Sequence, residues 1–241
     1  MKFIEQLKLS YRANKYKNKH DMGGIKYMLQ SIKSGQTVFD IGAHKGGYLY
    51  FILKKTGANG KVYAFEPQSL LYNYLVKIKR ILKWTNVTIE HMALSDKEDK
   101  TTLYIPENRN EPSSPGATIV EPKIKIGIEK TEEVLTDTID SYCSKHNLQP
   151  DFLKIDVEGN ELPIFMGGAE TLKKYKPKIF VECEARHVGR ERVLETFRYL
   201  LSLGYKGSFI KDTDFLPLID FDIDLHQNLG LKPYCNNFIF E

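Results

Sequence analysis

The sequence predicts an α/β fold with a mostly parallel central sheet and helices on both faces. Three observations predict it. Short apolar runs alternate with stretches of helical period, a glycine-bearing turn follows the first run, and acidic residues follow the later ones. Such alternation implies right-handed crossovers between parallel strands. A chain of 241 residues fits one domain of this kind with elaborations.

The elements can be assigned in order from residue 37 onward. The predicted strands are 37–41, 61–65, 87–91, 152–155 and 178–182. The predicted helices are 48–55, 68–82, 161–175 and 191–203. Two closing strands, 215–219 and 237–240, are expected to finish the parallel sheet as an antiparallel hairpin.

Residues 106–127 interrupt the alternation. Their prolines and glycines are too dense for a regular element, so we expect an irregular excursion. Its flanks, 101–105 and 132–135, are expected to pair as short strands at its base. By position alone, the excursion and the N-terminal segment are expected to face a substrate.

The first 35 residues are expected to form a helical lead-in to a main domain spanning 36–241. The first twenty are basic, and charge interrupts their apolar residues, so they do not resemble a signal peptide. One interpretation is a basic amphipathic helix that touches a membrane surface. The other, which we prefer from the sequence, is a solvated and partly frayed helix.

The composition limits which cellular compartment and which binding partners are expected. No apolar stretch is long enough to span a bilayer. The three cysteines form no Cys-x-x-Cys pair, which disfavours a disulfide framework or a zinc site and favours a reducing, cytoplasmic location. A net charge of +4 is compatible with an anionic substrate but does not by itself indicate nucleic-acid binding.

Residues 40–47 form a turn between the first strand and the first helix. Gly42 lets the backbone approach a ligand without a Cβ, and the helix start offers free N–H donors. Dinucleotide enzymes use Gly-x-Gly-x-x-Gly here, but His44 occupies the place of the second glycine. Asp40 would repel a pyrophosphate but suits an ammonium and a sulfonium group. The loop therefore favours S-adenosylmethionine over a dinucleotide.

Two further strand ends offer contacts to such a cofactor. Glu66 lies 24 residues after Gly42, close to the spacing of about 20 for a ribose-binding carboxylate, and its oxygens can accept from both ribose hydroxyls. Capping of the next helix is the alternative role for Glu66. Ala93, Leu94 and Ser95 are candidates for adenine contacts, with a plain turn at the strand exit as the alternative.

Four motifs resemble those of the FkbM-family methyltransferases, which depend on S-adenosylmethionine and mostly methylate oxygen. They are Val-Phe-Asp-Ile-Gly-Ala from Val38, Ala-Phe-Glu-Pro from Ala64, Ala-Leu-Ser-Asp from Ala93 and Phe-Leu-Lys-Ile-Asp-Val-Glu-Gly-Asn-Glu from Phe152. The fourth is the most specific. Together they extend over roughly residues 37–185.

The resemblance implies a Rossmann-like class I methyltransferase fold, with a seven-stranded, mostly parallel sheet whose last strand is antiparallel. It also implies cofactor-site roles for Asp40, Gly42, Glu66 and Asp156. With their neighbours, the predicted cofactor-binding residues are Asp40, Ile41, Gly42, Ala43, His44, Gly46, Glu66, Pro67, Ala93, Leu94, Ser95 and Asp156. His44 departs from the family, in which asparagine is common at that position.

Catalytic candidates lie at the carboxyl ends of the fourth and fifth strands, where open α/β sheets bind ligands. Lys154 falls inside a central strand and needs a carboxylate partner, with Asp156 and Glu182 as candidates. A structural ion pair and a catalytic role are both open for it. No metal site is predicted. The predicted catalytic residues are Asp156, Glu158, Lys154 and Glu182.

Some residues at this edge also have simpler interpretations. Glu158 or Asn160 would serve as the N-terminal cap of the following helix, although the family resemblance favours a functional role for Glu158. Glu184 and His187 are further candidates, but an isolated histidine in a loop with Arg186 and Arg190 is more often an ordinary surface residue.

The predicted function is methylation of a hydroxyl on a small molecule or sugar, with a small-molecule or glycan acceptor as partner. A nucleic-acid methyltransferase is the alternative, kept open by the basic stretch Lys77, Lys79, Arg80 and Lys83. An NAD-dependent oxidoreductase is disfavoured by Asp40. A non-catalytic binding domain would be expected to lack Asp40 or Glu66, and neither is lost.

Overall fold

The computed structural model describes residues 2–106, 116–121 and 128–241, with the side chains of 2, 128 and 129 left out. Most of the predicted excursion at 106–127 lies outside these residues. The strands are β1 (Thr37–Ile41), β2 (Lys61–Phe65), β3 (Val87–Glu90), β4 (Ala93–Leu94), β5 (Asp99–Pro106), β6 (Ile128–Asp137), β7 (Phe152–Ile155), β8 (Lys178–Glu182), β9 (Gly207–Lys211), β10 (Asp214–Pro217) and β11 (Asn237–Phe240).

The helices follow the same alternation. They are α1 (Lys2–Lys15), α2 (Met22–Ser31), α3 (Gly47–Thr56), α4 (Ser69–Leu82), α5 (Ile139–His146), α6 (Glu161–Met166), α7 (Ala169–Tyr175), α8 (Ala185–Val188), α9 (Arg190–Ser202) and α10 (Ile223–His226). A π-helical turn, Tyr16–His20, follows α1. None of the helices in the described ranges is both long and apolar enough to cross a membrane.

The main sheet has the order β10-β9-β11-β8-β7-β1-β2-β3. Strands β8, β7, β1, β2 and β3 are parallel, and the last strand, β11, runs antiparallel to both of its neighbours. The α/β class and the antiparallel last strand are therefore confirmed. The expected count of seven strands is wrong by one, because β9 was not predicted and makes the sheet eight-stranded.

The expected closing hairpin is wrong in its pairing. Strand β10 pairs with β9, which was not predicted, while β11 inserts between β8 and β9. Strand β9 has only two buried residues, the adjacent Phe209 and Ile210, so its sequence shows no clear alternation. A short strand of this kind carries too little period-two signal to be recognised.

The predicted helix 161–175 is two helices, α6 and α7, separated by Gly167 and Gly168. A Cβ on Gly167 would lie 2.1 Å from the carbonyl oxygen of Ser95, so only glycine allows this close approach. The break brings the strand exit at Ser95 against the helix layer. Helix α5 was not predicted at all.

A second, three-stranded sheet has the order β4-β6-β5. Strands β5 and β6 pair antiparallel over most of their length, which confirms the expected pairing of 101–105 with 132–135. Residue Thr118 forms an isolated bridge with Tyr104, so the described part of the excursion lies along β5.

The core lies on both faces of the main sheet. In β7, Leu153 and Ile155 pack in the cluster that includes α5, α6, α7 and α9, whereas Phe152 packs with α2 and α3. This is the period-two division expected of a strand buried on both faces. Lys154 shares a face with Phe152, as predicted.

The N-terminal lead-in is docked, contrary to the expectation of a frayed helix. Leu9 and Ala13 of α1 are fully buried. The guanidinium of Arg12 donates to the Lys45 carbonyl at 2.9 Å and to the Tyr74 hydroxyl at 3.0 Å. These contacts fix α1 against the turn after β1 and against α4.

Candidate active site

A cleft opens along the carboxyl edge of β3, β2, β1 and β7. It encloses about 940 Å³ of empty space, its open mouth included. Four strand exits form its base, and α1, the π-helical turn and residues 117–119 add to its walls. The predicted site residues on its lining are Ile41, Gly42, Ala43, His44, Glu66, Pro67, Ala93, Leu94, Lys154, Asp156 and Glu158.

Lys154 forms the floor of the cleft between β1 and β7. Its Nζ donates to the Gly42 carbonyl at 2.8 Å and lies 3.3 Å from Asp40 Oδ1 and 3.6 Å from Asp156 Oδ2. Burial alone would lower the pKa of Lys154, but the two carboxylates outweigh it and raise the pKa. The ammonium is therefore charged although its side chain is only 3% exposed.

Asp40 lies beneath the cleft lining. It pairs in register with Lys154 across β1 and β7 and is completely buried. Its ion pair with Lys154 was missed because the sequence search for a partner considered only β7 and β8. Of the two carboxylates that pair with Lys154, Asp40 supports the cleft floor from below, and Asp156 reaches the cleft.

Gly42 carries the turn of the chain after β1. Its φ is +79°, and a Cβ there would lie 1.9 Å from the carbonyl oxygen of Asp156. Both observations require glycine. The ends of β1 and β7 are thereby held in contact.

Glu66 follows β2 and is 5% exposed. One oxygen accepts from the backbone N–H of His44 at 2.7 Å, and the other accepts from the N–H of Gln68 at 2.9 Å. Gln68 is the N-cap of α4, so the capping role is present. Because each carboxylate oxygen has two lone pairs, acceptor capacity remains on the cleft side. Burial raises the pKa of Glu66 to about 7.

His44 adopts a φ of +48°. Among non-glycine residues, Asn, Asp and His are the ones enriched in this left-handed region, which gives a backbone reason for histidine in place of asparagine. Burial, aided by Lys45, lowers the pKa of His44 to about 4. The ring is therefore neutral at physiological pH.

Glu158 is a second left-handed residue at the cleft, with a φ of +56°. Its Oε2 lies 2.9 Å from Nδ1 of His187. Burial would lower the pKa of His187, but the Glu158 carboxylate outweighs it and raises the pKa. His187 is thus a partner of a cleft carboxylate, and its interpretation as an ordinary surface residue is wrong.

The capping interpretation for the loop before α6 is right about the position of Asn160 but not about its side chain. Asn160 is the N-cap, but its side chain makes no capping bond and donates instead to the Leu94 carbonyl at 3.0 Å. Glu161 accepts from the Gly159 N–H at 2.8 Å. These bonds tie the loop after β7 to the exit of β4.

The β3 side of the cleft is apolar. Ala93 and Leu94 form β4 and line the cleft with Met92, Leu103 and Ile119. Ser95 does not line it, because its N–H donates to the Asp137 carbonyl and its hydroxyl lies near Asn160.

Two other predicted residues also lie off the lining. Gly46 is the N-cap of α3 and packs against Leu9 and Leu75. Glu182, at the end of β8, accepts from the amide of Asn236 at 2.9 Å. Among the described residues, no group of acids, histidines or cysteines has the arrangement of a metal site.

Sequence reasoning missed several lining residues, among them Arg12, Tyr16 and Tyr48. Arg12 and Tyr16 come from the lead-in, and Tyr48 is the second residue of α3. The ring of Tyr48 lies 5.2 Å from Lys154 Nζ and 6.0 Å from the ring of Tyr16. The sequence shows that the lead-in is rich in basic and aromatic residues, but it does not show that the lead-in lies over the turn after β1.

Comparison with family models matches residues 40–206 to the methyltransferase FkbM domain. The chain belongs to the FkbM methyltransferase family. The match includes the turn after β1, Glu66 and the Lys154–Glu161 segment. Arg12 and Tyr16 lie outside it, so the FkbM domain of this chain is completed by residues that precede the family pattern. Comparison with curated protein sequences gave no significant match.

Solved structures show the same fold. An FkbM methyltransferase from Methylobacillus flagellatus KT has a TM-score of 0.57 at 14% identity, over 90% of this chain and 50% of that chain. An S-adenosylmethionine-dependent O-methyltransferase from Thermotoga maritima has a TM-score of 0.50 at 13% identity, over 95% and 69%. The present chain therefore spans half the length of the FkbM relative.

A third structure, the fibrillarin of Aeropyrum pernix with natively bound S-adenosyl-L-methionine, has a TM-score of 0.50 at 12% identity, over 87% of this chain and 67% of that chain. At these identities the likenesses establish the fold.

Proposed function

We propose that this FkbM methyltransferase binds S-adenosylmethionine in the cleft and transfers its methyl group to a hydroxyl oxygen of a small-molecule or sugar acceptor. The observation that carries the proposal is the order of chemistry along the sheet edge. An apolar pocket follows β3, Glu66 follows β2, a glycine turn follows β1 and Asp156 follows β7. Adenine, ribose and methionine require these environments in this order.

The spacing of the strand ends supports this assignment. Neighbouring strands lie about 4.8 Å apart, so the four exits span about 14 Å. A nucleoside with an amino-acid side arm extends over a comparable length. Ala93 and Leu94 contact the adenine, and Glu66 accepts from the ribose hydroxyls.

The methionine end meets two charged groups. Asp156, whose side chain is 33% exposed, offers a carboxylate to the ammonium group. Arg12 lines the same cleft and uses one nitrogen, Nη1, for its bonds to Lys45 and Tyr74. A guanidinium presents five N–H donors in a planar fork, so Arg12 retains donors for the carboxylate. Lys154 acts from below by holding Asp156 and the Gly42 carbonyl.

When bound, S-adenosylmethionine supplies a methyl group already activated on a sulfonium. The chain's own task is then to hold the acceptor close and in line, and to remove its proton. We assign the proton to the Glu158–His187 pair. As the acceptor oxygen takes the methyl group, its proton passes to this pair and rests on the imidazole. Glu182, which lies off the cleft, has no part in this proposal.

Oxygen is favoured as the nucleophile because a carboxylate–imidazole pair suits the removal of a hydroxyl proton. Membership of a methyltransferase family favours this function over the oxidoreductase alternative.

A thermal-shift titration tests the function. Saturating S-adenosylmethionine should raise the melting temperature, because a ligand that binds only the native state stabilises it. NAD⁺ should leave it unchanged. A shift with NAD⁺ alone, or with neither compound, would contradict the proposal.

A further inference from the structure

Helix α1 has apolar side chains on two opposite faces. Leu9 and Ala13 are buried against the domain. On the outward face, Phe3 is 71%, Leu7 53% and Tyr11 74% exposed. Their spacing of four places them in one row along the helix, and Ile4, 55% exposed, lies beside it. We call these four residues the α1 stripe. Contiguous exposed apolar surface of this kind marks an interaction site.

The surroundings of the α1 stripe are strongly basic. Helices α1, α3 and α4 pack together and contain a single acid, Glu5. Their basic residues with described side chains, apart from Arg12 on the cleft side, are Lys8, Lys15, Lys54, Lys55, Lys77, Lys79 and Arg80. Seven basic residues against one acid give this face a larger positive charge than the net +4 of the whole chain, so the rest of the molecule is net negative. Such a dipolar molecule orients its basic face toward an anionic surface.

We propose that the α1 stripe docks on an anionic lipid bilayer, with its side chains at the boundary between headgroups and acyl chains and the flanking lysines against the headgroups. A row of Phe, Leu and Tyr bordered by Lys8 and Lys15 is the composition of an interfacial helix. Anionic lipids add attraction for each nearby lysine.

Charge and apolarity together select this occupant. A second copy of the chain would bring two basic faces into contact, which repel. A nucleic acid would place its charged phosphates against the apolar α1 stripe, which lies at the centre of the face. A bilayer surface that is anionic at its headgroups and apolar below them matches both features.

Docking through α1 would hold the cleft close to the bilayer. Arg12, on the cleft side of α1, lines the cleft, while the α1 stripe lies on the outward side. The diameter of a helix is about 10 Å, so the cleft wall would lie within about that distance of the headgroups.

Vesicle co-sedimentation of the full chain tests the proposal. We expect binding to vesicles of phosphatidylcholine mixed with phosphatidylserine, weakening as salt is raised, and little binding to phosphatidylcholine alone. Leu7→Glu should lower the apparent affinity for vesicles by about tenfold or more. It removes apolar surface that docking would bury, and it adds a negative charge that the anionic lipids repel. Circular dichroism should show that this exposed-site variant stays folded.

Ile219→Glu is the matched control, since Ile219 is 92% exposed and lies outside the α1 stripe. It should bind vesicles like the wild type. Three results would overturn the proposal: no vesicle binding by the wild type, equal losses in both variants, or a self-associated wild type that Leu7→Glu makes monomeric without affecting vesicle binding. Salt-sensitive RNA binding in place of vesicle binding would assign the face to nucleic acid instead.

Discussion

Lys154 is a cation buried between two carboxylates at the centre of the sheet. Its bonds to the Gly42 carbonyl, Asp40 and Asp156 join the ends of β1 and β7 at the point where the cleft forms. Removing one member of a buried ion pair leaves an uncompensated charge, which costs far more than the pair contributes. The contacts that make Lys154 a structural ion pair are therefore the same ones that hold Asp156 at the cleft.

Lys154→Met should lower the free energy of unfolding by about 3–5 kcal/mol, because it leaves the buried carboxylate of Asp40 without a cationic partner. The double variant Lys154→Met/Asp40→Asn should recover most of that loss, since no buried charge remains unpaired. Equilibrium unfolding in urea measures both. A double variant as unstable as the single one would show that the charge of Asp40 is not what Lys154 compensates.

Arg12→Gln should weaken binding of S-adenosylhomocysteine by roughly 10-fold to 100-fold, because a hydrogen bond to a charged group is lost. Binding of 5′-methylthioadenosine, which lacks the amino-acid portion, should be unchanged. Lys15→Gln, an exposed change on the same helix, is the control. Equal losses for both ligands would mean that Arg12 only supports the turn after β1.

The pKa of His187 should fall when Glu158 is changed to Gln, because the carboxylate raises that pKa above its ordinary value of 6.5. The imidazole accepts a proton only when neutral. The acid limb of the rate profile should therefore lie above pH 6.5 in the wild type and move to lower pH in Glu158→Gln. Histidine NMR titration, with Glu191→Gln as control, measures the shift directly. An unchanged pKa would refute the pairing.

At the scale of elements, the Thr118 side chain ties the described part of the excursion to the loop after β7. Thr118 pairs with Tyr104 of β5 through two backbone bonds of 2.8 and 3.0 Å. Its hydroxyl donates to the Glu158 carbonyl at 2.9 Å. Residues 117–119 thus form a wall of the cleft that depends on the loop after β7.

Thr118→Val removes that hydroxyl and should cost about 1 kcal/mol of stability. Hydrogen exchange should become faster at residues 116–121 and at the loop 158–160, because each segment loses its tie to the other. Thr102→Val, at an exposed position of β5, should leave both segments protected as in the wild type. Unchanged exchange in Thr118→Val would show that the wall is held by other contacts.

Elements with strong local signals were predictable, and those fixed by distant contacts were not. The bounds of β1, β2, β7 and β8 match the predicted ones, because their apolar runs are long relative to their neighbours. Strand β9 has no such run, and its place beside β11 depends on pairing across the chain. The break between α6 and α7 depends on the approach of Ser95, which no local pattern encodes.

The same distinction applies to the site. Glu66, Gly42 and Asp156 follow strands, so the sheet itself brings them to one edge. Arg12 reaches the cleft only because α1 folds back over the turn after β1, and His187 only because α8 lies beside the loop that contains Glu158. Sequence spacing carries no information about either contact.

At the scale of the whole molecule, one face combines the family's strand-end chemistry with a lead-in from outside the family pattern. The strand exits supply the order of apolar pocket, carboxylate, glycine turn and Asp156. The lead-in closes the side nearest the charged end of the proposed cofactor. We infer that this composite cleft is an S-adenosylmethionine site.

Isothermal titration of the full chain with S-adenosylhomocysteine tests that claim most directly. We expect the wild type to bind one equivalent with an affinity in the micromolar range, roughly −8 kcal/mol. Glu66→Gln should bind at least about tenfold more weakly, because the ribose hydroxyls lose one of the two acceptor oxygens of Glu66. Glu133→Gln, at an exposed carboxylate, should bind like the wild type. No binding by the wild type, or unchanged binding by Glu66→Gln, would contradict the account.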